Sequence, residues 1–365
     1  MSASPLSSTA HPPRRTPAAL AVLAAAALAL SACGSAASPR PSVPPDATGS
    51  LLPAATATVG PSAPSSPAVS ASAAAAFPVS LVDDEGTTVA LAKQPQKIVS
   101  LTPAETEVLY ALGAGDRLVG KVDDLANYPP QAKDVPVVSA FAANGVNVDI
   151  EKIVGLGTDL VIAGGNGGTP PDAIAKLRSL NIPVVVVYAP DVDTVYHDIE
   201  LTGDAIGEPT PADTLVAGMK SDFDKVAAAT AAAPKPRVFY ETGDQPAIYG
   251  IADNSVYAQM ISLAGGTPIT TGSATNWEMS TEKLVAADPE LILLGDAAYG
   301  VTPQAVSKRP GWAALPAVRA GAIKGIDDIL VTRPGPRLGQ GLQLLAAAIH
   351  PELNLPVPSP LASGG

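Results

Sequence analysis

The chain has 365 residues, 38 of them proline and 32 glycine, with one cysteine, three histidines and a formal net charge of −12 at neutral pH. A single cysteine excludes a disulfide framework, and any thiol nucleophile or cysteine-based metal site would have to use that one residue. So acidic a chain repels phosphates, which argues against a nucleic-acid partner.

Arg14 and Arg15 precede an apolar run of 13 residues, Ala18 to Leu30, and small residues then lead to Cys33. A spanning helix needs roughly 20 apolar residues, so this run reads as the core of a signal sequence. Leu30-Ser31-Ala32-Cys33 resembles the lipobox of bacterial lipoproteins. The resemblance implies that residues 1–33 are a signal peptide and that Cys33 carries diacylglycerol as the first mature residue. The paired arginines lack the hydrophobic context of a twin-arginine signal. Residues 34–76 are dominated by Ala, Ser, Pro, Thr and Val, with Arg40 and Asp46 their only charges. Such a segment cannot bury enough apolar surface to offset chain entropy, so a disordered tether is expected, with a reach on the order of 35 Å. Together these features place the body outside the cell membrane, lipid-anchored to its outer face.

Residues 77–365 carry the fold and a net charge of −14, because the first 33 residues contribute +2 and the tether zero. Short apolar runs alternate with helical stretches: 98–101, 118–122, 160–163 and 184–188 in one group, 238–240, 291–294 and 322–326 in another. Continuous apolar runs of this length read as parallel strands buried on both faces. The class is therefore α/β. Thr102-Pro103-Ala104-Glu105 and Thr210-Pro211-Ala212-Asp213 each read as an N-cap, a first-position proline and a carboxylate three residues after the cap. Between the strand groups, Leu215, Met219, Phe223 and Val226 form an apolar helical stripe that ends before Pro234. A helix there of roughly 30 Å predicts a rigid connector. The expected organisation is an N-terminal lobe over 77–209, a connecting helix over 210–233, a C-terminal lobe over 234–355 and a tail over 356–365.

The chain also repeats itself. Residues 149–164 and 280–295 share five of sixteen positions, each running from an N-cap through Glu-Lys to a buried strand ending in glycine. The repeat puts Glu151 and Glu282 at matching places in the two lobes. Beside it stand Lys97-Ile98-Val99-Ser100-Leu101-Thr102-Pro103, Asn127-Tyr128-Pro129-Pro130, Leu263-Ala264-Gly265-Gly266 and Arg333-Pro334-Gly335-Pro336-Arg337. From about Ile98 to Leu353 the order and spacing of these stretches resemble the periplasmic binding proteins that deliver cobalamin, ferric siderophores and haem to ABC importers. That resemblance implies two Rossmann-like lobes joined by one long helix, working with an ABC permease dimer and its ATPase. It further implies that Glu151 and Glu282 dock onto the permease. A first-turn glutamate is also favoured locally by about 0.3–1 kcal/mol through the helix dipole, without any partner.

Ligands of α/β lobes bind beyond the carboxyl ends of the strands, so the cleft between the lobes is the expected site. Phe141 and Trp277 fall where the family's cobalamin binders present aromatics, and both are expected in loops. A fully buried Trp of about 200 Å² contributes at most roughly 5 kcal/mol, so two such platforms would dominate affinity for a flat macrocycle. Tyr240, Tyr249, Asp124, Asn127, Tyr128 and Arg333 are further ligand candidates, with Tyr128 equally readable as a packed turn residue and Arg337 as a local stabiliser of the last helix. Gly164-Gly165-Asn166-Gly167-Gly168 fits neither the dinucleotide fingerprint nor the P-loop and reads as a cleft-edge loop. His11, His197 and His350 belong to no metal or triad motif, so an enzyme is not expected. The expected cargo is a metal chelate, cobalamin or a ferric siderophore, with no intrinsic cofactor. Haem would need a Tyr or His facing the cleft, and Phe141 cannot ligate iron. The carrier is expected to be monomeric, with small relative motion of its lobes.

Overall fold

The structure is a computed structural model that describes residues 77–142 and 145–358. The expected signal peptide, Cys33 and the expected tether lie outside the described residues, as do residues 359–365 of the expected tail. The body begins with β1 (Val79–Val82), β2 (Thr88–Leu91), β3 (Ile98–Ser100), α1 (Pro103–Ala111), β4 (Leu118–Val122), β5 (Val137–Ala142) and β6 (Gly145–Val148). It continues with α2 (Ile150–Gly155), β7 (Leu160–Gly164), α3 (Pro171–Ser179), β8 (Val184–Val187), α4 (Val192–Ile206) and α5 (Pro209–Thr230). After these come β9 (Arg237–Glu241), α6 (Val256–Leu263), β10 (Thr267–Ile269), α7 (Thr281–Ala287), β11 (Leu291–Leu294) and α8 (Pro303–Val306). The last elements are α9 (Pro316–Arg319), β12 (Ile323–Gly325), α10 (Asp328–Thr332) and α11 (Leu338–Ile349).

One sheet has the order β6-β5-β4-β3-β7-β8 and is parallel except for the β5–β6 pair. The other has the order β10-β9-β11-β12 and is parallel throughout. β1 and β2 form a separate antiparallel ribbon. The class is α/β with two Rossmann-like, parallel-rich lobes, and the strands are apolar on both sides because helices cover both faces of each sheet.

Helix ends follow side-chain chemistry at most positions. Thr102 accepts the Glu105 N–H at 3.1 Å, as the sequence predicts. Thr210 does not cap α5. α4 ends at Gly207 with φ 78°, which lets the Glu208 N–H reach the Gly203 carbonyl at 2.7 Å and leaves Pro209 as the first residue of α5. Only glycine adopts that left-handed conformation without cost, and the N-cap position falls on Glu208, whose carboxylate pairs with Arg117 at 3.0 Å instead of capping α5. α5 is 22 residues long, about 33 Å, and buries Ala212, Val216, Met219, Phe223 and Val226, while Leu215 is only partly buried.

These α5 residues belong to one continuous core. It runs from Ile98 and Leu160 of the first sheet, through Val195 and Ile199 of α4, to Val238 and Leu293 of the second sheet and Leu342 and Leu345 of α11. Smaller cores lie beneath α2 and α3 on one sheet and beneath α7 to α9 on the other. The lobes therefore share their largest hydrophobic cluster instead of being joined by a bare linker. In the second lobe α11 crosses α10 so closely that a Cβ at Gly341 would lie 2.0 Å from the Leu330 carbonyl oxygen.

Candidate functional site

The carboxyl ends of both sheets bring loops from each lobe to a common groove of about 470 Å³. Asn166 and Tyr188 come from the first lobe, following β7 and β8; Tyr257, Trp277 and Thr332 come from the second. Tyr188, 43% exposed, is among the residues that line the groove.

Trp277 is held from behind. Its carbonyl accepts the Gly250 N–H at 2.9 Å, and its indole meets the Tyr257 ring edge-on, centroids 5.4 Å apart at 77°. Tyr257 in turn packs edge-on against Tyr240, at 5.8 Å and 70°. The ladder ends where the Tyr240 hydroxyl donates to Asp328 Oδ1 at 2.7 Å. Such aromatic pairs contribute beyond their buried area and fix ring orientation. Burial, with the Asp328 charge, raises the Tyr257 hydroxyl to about 12, so both tyrosines stay protonated and act as rigid supports.

Beneath the groove the two lobes are joined by ion pairs. Arg333 donates to Asp124 at 2.7 and 3.0 Å and to Glu107 at 2.7 Å. Arg337 donates to Glu107 at 2.6 and 2.7 Å and lies over the Tyr128 ring, 3.8 Å from its centroid. Asp124 also accepts the N–H groups of Ala126 and Tyr128. Burial alone would raise the Asp124 carboxyl, but the Arg333 hydrogen bonds and charge bring it below the usual carboxylate range.

These contacts redistribute the residues expected at the site. Trp277 lines the groove. Phe141 lies on strand β5, opposite Val146 of the antiparallel β6, and is 76% exposed rather than set in a cleft loop. Tyr240 is fully buried and supports Tyr257, because a strand covered on both faces turns all its side chains inward. Tyr249 lies half-buried, paired through its backbone with Gly243 and Glu278. Asn127 takes a turn conformation with φ 47° next to Asp124. Asp124 and Arg333 engage each other instead of standing free for a ligand, and Arg337 acts across the lobes rather than locally on α11. Tyr188, Tyr257 and Asn166 were missed as ligand candidates; their signal was position, at the carboxyl ends of strands or in the helix turn that follows.

Glu151 and Glu282 occupy the first turns of α2 and α7, whose N-caps Asp149 and Ser280 accept the N–H groups of Lys152 and Lys283. Each lysine then sends its ammonium back to a main-chain carbonyl, Lys152 to Val137 and Lys283 to Thr271. Both glutamates are exposed, and neither has an ion-pair partner among the described residues. Among the described residues no group of three or more His, Cys, Asp or Glu side chains forms a metal centre, and no helix is long and apolar enough to cross a membrane. His197 is exposed on α4, whereas His350 is buried against the Gly265 carbonyl.

Comparison with known proteins agrees with this architecture. The family described as "Periplasmic binding protein" matches residues 98–330. The ABC transporter substrate-binding lipoprotein YvrC of Bacillus subtilis is 36% identical, covering 76% of this chain and 87% of its own length. A cobalamin-binding protein of Halobacterium salinarum is 29% identical, with 77% of this chain and 76% of its own covered. Among solved structures, the periplasmic haem-binding protein RhuT of Roseiflexus, in apo form, superposes with a TM-score of 0.62 at 27% identity, covering 71% of this chain and 99% of RhuT.

Proposed function

This chain belongs to the periplasmic binding protein family, and from that premise we propose that it captures a corrinoid of the cobalamin type in the groove between its lobes and hands it to an ABC permease. Members of this family are substrate-binding components of transport, not enzymes. The observation that carries the choice of ligand is the groove wall itself. Trp277, buttressed by Tyr257, offers a fixed aromatic surface, and the two arginines near it are already paired with Asp124 and Glu107. A flat macrocycle of low charge suits such a wall better than a ligand carrying carboxylates, because no unpaired arginine among the described residues lines it. A ferric siderophore without free carboxylates fits the same description.

The Leu30–Cys33 motif and the lipoprotein relative support lipid anchoring at Cys33, which would raise the carrier's concentration near its permease. Glu151 and Glu282, matched in sequence and structure and free of ion pairs among the described residues, support docking onto a permease dimer served by its ATPase. A haem reading is supported by one observation, the Tyr188 phenol in the groove wall, because tyrosinate can ligate haem iron.

Titration of the full chain with cyanocobalamin, ferric siderophores and haemin tests the assignment. Trp312 is 1% exposed in the core, so ligand quenching of tryptophan fluorescence reports chiefly on Trp277. Cyanocobalamin or a ferric siderophore should quench it stoichiometrically; a Soret shift at one equivalent of haemin, with no response to the others, replaces this reading with haem.

A further inference from the structure

The three most exposed large apolar or aromatic side chains among the described residues are Leu125 at 83%, Phe141 at 76% and Tyr299 at 73%. One such side chain standing alone is ordinary on a protein surface. These three share a place. Each stands at or beyond the carboxyl end of a strand, the end at which both sheets build the groove, yet none of them lines it.

The first lobe carries its pair on and beside a projection. β4 meets β5 at Val137 and Ser139 and ends at Val122, whereas β5 runs on to Ala142 with β6 as its partner among the described residues. Ala140 to Ala142 therefore stand beyond the sheet, by roughly 10 Å at about 3.3 Å per residue. Phe141 rides on this finger. Leu125 leaves β4 alongside it, since the Asp123 N–H donates to the Ser139 carbonyl at 2.6 Å. Glu151 lies at the foot of the finger, because the Asp149 N–H donates to the Val138 carbonyl at 2.8 Å and α2 begins there. The second lobe shows the same association. Tyr299 closes the short 3-10 turn Gly295–Tyr299 that follows β11. Glu282 belongs to the same end of that lobe, because the ammonium of its neighbour Lys283 donates to the Thr271 carbonyl just beyond β10. Each lobe thus presents an exposed acid together with exposed apolar side chains.

The charge of the body selects among occupants. Its strong acidity repels an anionic lipid surface and a second copy of the same chain. A protein face that offers cations to the glutamates and recesses to the apolar side chains fits both features. At such an interface charge pairs steer and orient, while a few large apolar anchors supply most of the binding energy. We propose that Phe141, Leu125 and Tyr299 are the apolar anchors of the permease interface, with the β5–β6 finger as its protruding contact. The inference rests on the permease-docking reading of Glu151 and Glu282, and it adds the residues that hold the partner to those that steer it.

The full chain carrying the photocrosslinker benzoylphenylalanine at Phe141 or at Tyr299, illuminated in intact cells, reads the contact without any cargo. Mass spectrometry should identify an ABC permease subunit in both adducts and none from the same probe at Leu180, which is 42% exposed at the amino end of β8. Adducts with lipid or with a second copy of this chain overturn the proposal. Phe141→Ser, Leu125→Ser and Tyr299→Ser combined should weaken binding to that permease, reconstituted with its ATPase in nanodiscs, by roughly 10-fold or more, with melting unchanged because all three positions are exposed. Quenching of Trp277 fluorescence by cyanocobalamin should be the same in this variant as in the wild type; a loss there makes these residues cargo contacts and overturns the assignment. Normal permease binding by the serine variant, beside its loss in Glu151→Arg with Glu282→Arg, overturns the anchors and leaves the docking glutamates standing. Normal binding by both variants overturns the docking reading as well.

Discussion

Replacing Arg333 by methionine removes the guanidinium that joins the lobes while keeping most of its aliphatic volume. Arg333 is 13% exposed in its side chain, and its partners Asp124 and Glu107 are 7% and 3% exposed. Removing one member of a buried pair typically costs about 3–5 kcal/mol, because the remaining charge is stranded. The loss here is smaller, about 2–3 kcal/mol, since Arg337 still serves Glu107 and the Ala126 and Tyr128 N–H groups still serve Asp124. At roughly 2–4 °C per kcal/mol for a body of this size, melting should fall by about 4–12 °C. Asp124→Asn on the Arg333→Met background should then cost less than it does alone, because the charge it removes is already unpaired. Calorimetry of the wild type, both single variants and the double variant reads the cycle. A fall under about 1 °C, or strict additivity, would refute the view that this pair couples the lobes.

Glu151→Arg with Glu282→Arg should leave ligand affinity unchanged and abolish uptake in cells, and normal uptake would remove both residues from the docking surface. Stability should also depend on pH through the buried acids. Glu105 and Asp198 have folded values raised above their unfolded ones, so the folded state binds their protons more tightly. Their stabilisation is present below about pH 4 and is lost as pH rises toward about 7 for Glu105 and about 9 for Asp198. Melting temperature should accordingly decline between pH 5 and 9 more steeply in the wild type than in the Asp198→Asn, Glu105→Gln variant; parallel curves would contradict those raised values. Finally, the core shared through α5 and the Arg333 pairs predict little contraction on binding, so a large ligand-induced drop in the radius of gyration by X-ray scattering would argue against a rigid pair of lobes.

What the sequence made visible follows the range of the forces involved. Strands buried on both faces announce themselves as apolar runs, and Leu118–Val122 and Leu291–Leu294 have the boundaries their residues predict. The Glu-Lys repeat was legible because capping is local: Asp149 and Ser280 each act three residues downstream. The β5–β6 hairpin was missed although Asn144-Gly145, a favoured hairpin dipeptide, stands between Phe141 and Val146. Alternation there is short and Ala-rich, so Phe141 read as a loop residue. The roles of Tyr240 and Arg333 were not legible. Tyr240 finds its hydroxyl partner 88 residues away and Arg333 meets Asp124 across 209, and no local pattern encodes either distance.

The same long-range pairs bear on what the groove can hold. A buried ion pair is weak evidence for stability, because desolvation offsets much of its attraction and apolar replacements are often as stable. Its distinctive property is direction. The Arg333 fork meets both oxygens of Asp124 and one of Glu107, and Arg337 meets both oxygens of Glu107 while lying on Tyr128, so few relative placements of the lobes satisfy all five hydrogen bonds. Fixing the lobes in this way also fixes the separation between Trp277 on one side of the groove and Tyr188 on the other. It has an electrostatic consequence as well. With both arginines engaged, the groove offers aromatic faces but no free arginine among the described residues, in a body that is strongly acidic overall. For the proposed corrinoid, affinity would then come chiefly from stacking, and a ligand's carboxylates would meet no free guanidinium to offset their desolvation.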